Sequence, residues 1–142
     1  MSVGPLTAAL FKVCRVAYGR RYRVELAAAD ADGVIRLGAL PAPPSPEELA
    51  GLVAEALRFG EPVVQAVPEG WFCWAVPLTT NGRCDGGLIA QIDEGTLFPS
   101  SLAEPRHDLR QACSDLRRLA EERHLVNAHW LAEHRRQQLA ED

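Results

Sequence analysis

Gly60–Asp93 reads GEPVVQAVPEGWFCWAVPLTTNGRCDGGLIAQID, and the fold is decided by how its second half is read. Phe72–Leu78 and Leu88–Ile92 are apolar runs of strand length. Asn81-Gly82 between them is a hairpin signal, because a type I′ turn needs positive φ at both central residues. With that turn and an unbroken ladder, Trp74 falls opposite Ile89 and Cys73 opposite Ala90. One face then carries Phe72, Trp74, Val76, Leu78 and Ile89, and the other carries Trp71, Cys73, Ala75, Leu88, Ala90 and Ile92. A hairpin with one wet face alternates apolar and polar residues. This one does not, so it belongs in the middle of a sheet covered on both sides.

Working outward toward the N-terminus, Ser45-Pro46-Glu47-Glu48 is a helix start, with serine as cap, proline at the first helical position and Glu48 completing a capping box. Leu49, Leu52, Val53, Ala56 and Leu57 form the buried stripe of that helix, and Gly60 stops it. Pro41-Ala42-Pro43-Pro44 is a stiff connector. Arg21–Asp30 has the period-two pattern of a strand, Ala31-Asp32-Gly33 is a turn, and Val34–Leu40 returns as a second strand. Pro5–Tyr18 reads as a helix with Leu6, Leu10, Val13 and Ala17 on one stripe, Cys14 beside it and Gly19 as its stop.

Toward the C-terminus, a short apolar run at Pro62–Val67 precedes the hairpin, and Glu94–Glu104 is a loop. A long helix is expected from Pro105 to about Leu139, with a break near His124–Asn127. Leu109, Ala112, Leu116, Leu119, Val126 and Trp130 form a rough heptad along it. After Trp130 the sequence turns polar on every side, which suits a partner-facing helix or a connector. The element order is α-β-β-α-β-β-β-α. Local strand pairing makes an α+β fold with an antiparallel five-stranded sheet and the two terminal helices on one face. Residues 1–104 are the domain core and 105–142 the dimerisation or signalling connector.

The composition bounds the function. Hydrophobic residues make up 47% and charged residues 24% of the 142, an ordinary balance for one globular domain. At a net charge of −4 the chain is not expected to grip a nucleic-acid backbone, which needs clustered Lys and Arg. No apolar run is long enough to span a bilayer and the start does not read as a signal peptide, so a cytoplasmic location is expected. Cys14, Cys73, Cys84 and Cys113 show no C-x-x-C spacing and read as buried or inert thiols, with no disulfide between Cys73 and Cys84. His124, His129 and His134 recur every five residues and so turn away from a common helix face, which is not a metal-site pattern.

Ala75-Val76-Pro77-Leu78, then Asn81-Gly82, then Gly86-Gly87-Leu88-Ile89 resembles the GAF family of sensory domains. There an apolar strand, Pro-Leu, a short glycine turn and a glycine-containing strand follow in this order. Leu116–Gln138 is similar to the helix that follows such domains in some bacterial regulators. The resemblance implies a GAF/profilin-like fold and a non-catalytic, small-molecule-sensing domain of a signalling or transcriptional regulator, usually homodimeric. It names no cofactor and leaves the ligand unknown.

Trp71, Phe72, Cys73 and Trp74 are the expected apolar wall of the ligand site, with Arg83 and Asp85, and also Glu69, as nearby polar groups. A cavity is expected between the sheet and the Ser45–Phe59 helix. Leu109, Leu116, Leu119, Val126 and Trp130 are the expected dimer contacts, because Val126 and Trp130 reach about 15 Å beyond the sheet at 1.5 Å rise per residue. Two other readings use the same residues. Roadblock-type or longin-type scaffolds share the element order and dimerise to bind a protein partner. One GAF-like branch reduces free methionine sulfoxide with loop cysteines, for which Cys73 and Cys84 are the candidates.

Overall fold

A computed structural model describes residues 2–97 and 108–126. Its sheet is the antiparallel five-stranded one the pattern requires. The strands are β3 (Glu25–Asp30), β4 (Ile35–Gly38), β5 (Gln65–Val67), β6 (Trp71–Thr80) and β7 (Arg83–Asp93), in the order β4-β3-β7-β6-β5. The helices are α1 (Ala8–Gly19), α2 (Pro46–Phe59), the short α3 (Glu94–Leu97) and α4 (Leu109–Glu122). A two-stranded ribbon, β1 (Ser2–Val3) with β2 (Leu6–Thr7), precedes α1.

That ribbon corrects the first expected helix. Gly4-Pro5 is its turn, with Gly4 at φ 53°, so the helix starts only after Thr7, whose hydroxyl oxygen accepts from the Leu10 N–H at 3.1 Å. The buried stripe of α1 is Phe11, Cys14 and Tyr18, while Val13 is exposed. The expected strand from Arg21 begins instead at Glu25, because Arg21 and Tyr22 still donate backbone N–H groups to Tyr18. The expected loop from Glu94 begins with α3.

The central hairpin turns at Asn81-Gly82, with φ of 51° and 76°, as the type I′ reading requires. Its ladder differs from the simple count by one residue. Thr79 pairs with Cys84 but Leu78 pairs with Gly86, so Asp85 bulges out of β7. Beyond the bulge Trp74 lies opposite Ala90 and Cys73 opposite Gln91. A one-residue slip carries a strand's side chains to the opposite face. Leu88, Ala90 and Ile92 therefore join Trp74, Val76 and Leu78, and Ile89 joins Cys73 and Ala75, the reverse of the expected partition. The glycines after Asp85 are the physical cause. Gly86 sits at φ 147°, and a Cβ there would stand 2.0 Å from the Ala29 carbonyl oxygen.

Both sheet faces are covered. Phe11, Cys14 and Tyr18 of α1 and Ala112, Cys113, Leu116 and Ala120 of α4 cluster with Trp74, Val76, Leu78, Leu88, Ala90 and Ile92. Leu49, Leu52 and Val53 of α2 cluster with Ala27, Ala29, Cys73, Ala75 and Ile89. The alanines that make β3 a weak strand former are all fully buried here, where small side chains let helices lie close to the sheet. At α2 the caps are those read from sequence. Ser45 Oγ accepts from the Glu48 N–H at 3.2 Å, and Gly60 closes the helix at φ 74°. No helix among the described residues is long and apolar enough to cross a membrane.

Candidate functional site

The four residues expected to wall a ligand site are consecutive on β6, and strand alternation divides them between two faces. Phe72 and Trp74 face α1 and α4, while Trp71 and Cys73 face α2. Trp74 is completely buried and its indole N–H donates to Tyr18 Oη at 3.2 Å. The Tyr18 hydroxyl in turn donates to the Ala112 carbonyl at 2.7 Å. This chain joins sheet, α1 and α4 and satisfies both polar atoms, so Trp74 is a core residue. Trp71 remains half-buried on the α2 side.

Cys73 meets Gln91, a fully buried polar side chain on the neighbouring strand. The Gln91 amide N–H₂ donates to Cys73 Sγ at 3.1 Å and to the Ala42 carbonyl at 2.7 Å, while its oxygen accepts from the Ala42 N–H at 2.9 Å. Gln91 thus pins the Pro41–Pro44 connector to the sheet. Burial pushes the Cys73 thiol up to about 11 against the partial opposing effect of the Gln91 bond. Burial also raises the Cys84 thiol, whose S–H donates to the Gly86 carbonyl at 3.4 Å. Cys84 pairs with Thr79, six residues along β6 from Cys73, which is roughly 20 Å at about 3.3 Å per residue. All four cysteines are free thiols.

Arg83 and Asp85 sit at the hairpin tip, away from Trp71. Arg83 Nε bonds Asp85 Oδ1 at 3.0 Å, with the arginine side chain 78% exposed and the aspartate 11%. Asp85 Oδ2 is buried against Gly4 and makes no hydrogen bond among the described residues. Glu69 is a turn residue at φ 72° between β5 and β6. The six expected ligand residues therefore form no single wall. Of the expected dimer contacts, Leu116 is fully buried, Val126 is 5% exposed, and Leu109 and Leu119 pack against the same cluster, so all four serve this chain's own core. Trp130, like His129 and His134, lies outside the described residues.

On the α2 face the packing is close. A Cβ on Gly87 would stand 2.3 Å from Val53 Cγ2, so α2 rests directly on the sheet at this point. Two clefts of the described residues lie around α1. One, of about 180 Å³, runs between α1 and α4 and is lined by Tyr18, Arg21, Tyr22, Asp115, Arg118 and Glu122, among others. Tyr22 donates its hydroxyl to Asp115 Oδ2 at 2.5 Å, Arg21 reaches the same oxygen at 3.0 Å, and Gln111 donates to Oδ1 at 2.8 Å. Burial alone would raise the Asp115 carboxyl, but the Tyr22 and Gln111 bonds and the Arg21 and Arg118 charges outweigh it and hold it below its ordinary value. Burial, with Asp115 beside it, pushes Tyr22 up to about 12. Pattern reading missed this cluster because Arg21 and Tyr22 looked like alternating strand residues and Asp115 lies 93 positions beyond Tyr22.

Net charge also conceals a local concentration. Residues 1–24 hold Lys12, Arg15, Arg20, Arg21 and Arg23 and no acidic residue. Comparison with protein-family models and with curated proteins finds no match to this chain.

Proposed function

We propose that this chain is a GAF-like, non-catalytic small-molecule-sensing domain of a bacterial signalling or transcriptional regulator, acting as a homodimer. The observation that carries the reading is the central hairpin. Pro77-Leu78 and Gly86-Gly87, the segments of the resemblance, are direct cross-strand partners in a five-stranded antiparallel sheet with helices on both faces. On this reading the ligand sits on the α2 side beside Trp71 and Cys73, and the paired bonds between Gln91 and Ala42 hold the connector in place. Arg83 and Asp85 at the tip are then hairpin-ordering residues. The test is native mass spectrometry of the gently purified chain, followed by thermal-shift screening of small metabolites. A bound small molecule that Trp71→Ala releases supports sensing. An empty wild type that no metabolite stabilises counts against it.

The roadblock-type or longin-type scaffold is the second reading, and the close approach of Val53 to Gly87 favours it, since α2 rests directly on the sheet at that point. It predicts a stable complex with a protein partner and indifference to metabolites. The thiol reductase is the weakest reading. Its chemistry needs a thiolate, and burial raises both Cys73 and Cys84.

A further inference from the structure

The exposed face of α1 has a composition unlike the rest of the chain. Five of the fifteen basic residues precede the first carboxylate, Glu25, and the remainder holds ten basic residues against all nineteen acidic ones. The sequence is therefore charge-asymmetric, a basic N-terminal segment followed by a net-acidic remainder. With Phe11, Cys14 and Tyr18 committed to the core, α1 turns Lys12, Arg15 and Arg20 outward around Val13 and Val16, which are 43% and 56% exposed. Lys12, Arg15, Val16, Gly19 and Arg20 line a shallow groove of about 510 Å³. Gly19 leaves open space at one end of it, since a Cβ there would touch nothing.

We infer that this face of α1 is a docking surface for an acidic amphipathic helix of a partner protein. An apolar ridge of the partner packs on Val13 and Val16 and into the notch at Gly19, and carboxylates flanking that ridge meet Lys12, Arg15 and Arg20. Charge complementarity selects this occupant over the other anions. A long polyanion such as duplex DNA, or an anionic bilayer, extends past α1 over the rest of a chain whose remaining charge is net negative. The face carries no aromatic residue to stack on bases or to anchor in a bilayer interface. A second copy docked through the same face brings the same cations against these. A short acidic helix touches α1 alone. The inference is independent of whether the α2 side holds a ligand.

The experiment is a ¹⁵N NMR titration of the full chain with a synthetic helical probe of about 15 residues, leucines at i, i+3 and i+4 spacing flanked by glutamates. The same probe with lysines for glutamates, a short DNA duplex and phosphatidylserine vesicles are the comparisons. Amide shifts confined to Lys12–Arg20, saturating with the acidic probe and weakening with salt, are expected. Arg15→Glu and Val16→Ser should each weaken binding about tenfold while leaving the unfolding midpoint unchanged. Shifts centred elsewhere, equal binding of the lysine probe, or tighter binding of duplex or vesicles overturns the inference. So do α1 shifts that track protein concentration without probe.

Discussion

The backbone N–H of Thr79, near the tip of the central hairpin, donates to the carbonyl of Leu125 at 2.9 Å. This bond couples two features that look unrelated in sequence. Strand β5 covers only Trp71–Cys73 of β6, so the outer edge of β6 beyond it needs other cover. Thr79 gives its N–H to Leu125 on that side, and Pro77, two residues earlier on the same side, has no N–H to give. The chain reaches this edge because α4 ends in a Schellman motif. His124 takes φ 58°, its N–H donates to the Glu121 carbonyl, and the Leu125 N–H donates to the Ala120 carbonyl. Leu125 then buries its side chain completely.

Leu125→Ala should therefore destabilise the domain by about 2–5 kcal/mol, the usual range for a fully buried leucine truncated in a core. His124→Gly should do the opposite. A non-glycine residue at positive φ carries a strain of roughly 1–2 kcal/mol, and glycine removes it at the cost of a looser unfolded chain. A melting temperature a few degrees higher is expected, read by calorimetry on both variants. A lower one for His124→Gly would mean that the imidazole makes a contact worth more than the strain.

The contact between Gly87 and Val53 gives a sharper test of how solid the α2 face is. Gly87→Ala places a methyl group 2.3 Å from Val53 Cγ2 and 3.3 Å from the Val76 carbonyl oxygen. Overpacking of this kind costs about 1–3 kcal/mol. Pairing it with Val53→Ala should recover part of the loss, so the double variant is less destabilised than the sum of the singles. Urea unfolding of the four proteins measures this. Strict additivity would show α2 lifting freely from the sheet, as a pliable ligand-binding face would.

Much of this architecture was legible in local patterns, and the misses have physical causes. Ser45 and Gly60 bound α2 because capping is decided within a few residues. Asn81-Gly82 set the turn for the same reason. The register failed at Asp85, where the count assumed an unbroken ladder although Gly86 and Gly87 signalled a bulge. That single residue reversed which β7 side chains meet α2. The Tyr22–Asp115 cluster was invisible because its members lie 93 positions apart and meet only when α1 and α4 pack on one face. Trp71–Trp74 looked like one aromatic wall because adjacency in a strand is not adjacency on a face.

The buried thiols lead to a labelling pattern. Burial raises Cys14, Cys73 and Cys113, the last to about 12, and all three are inaccessible. Cys84 is raised as well but is half-buried near the hairpin tip. At pH 8 a thiol reagent should modify Cys84 slowly and the others only after denaturation, when all four react. Peptide mapping distinguishes them. Fast modification of Cys73 in the native protein would revive the thiol enzyme.

The tyrosines supply the pH dependence. Tyr18 and Tyr22 are the only two in the chain, and both phenols are raised chiefly by burial, Tyr22 to about 12 and Tyr18 further. In the unfolded chain each ionises near pH 10. The folded protein thus keeps protons that the unfolded one releases, so this contribution is complete below about pH 10 and declines as pH rises toward 12. Asp115 acts at the other end of the scale. Its lowered carboxyl contributes above about pH 4, where the unfolded group ionises, and loses that contribution as pH falls through the folded value. A spectrophotometric titration should show almost no tyrosinate absorbance at pH 10 in the native protein and about half of each phenol ionised in denaturant. Asp115→Asn removes the acceptor charge that helps hold Tyr22 neutral, so Tyr22 should then ionise at lower pH while Tyr18 stays silent. An unchanged Tyr22 titration in that variant would mean that the phenol and the carboxylate do not share a proton-sensitive bond.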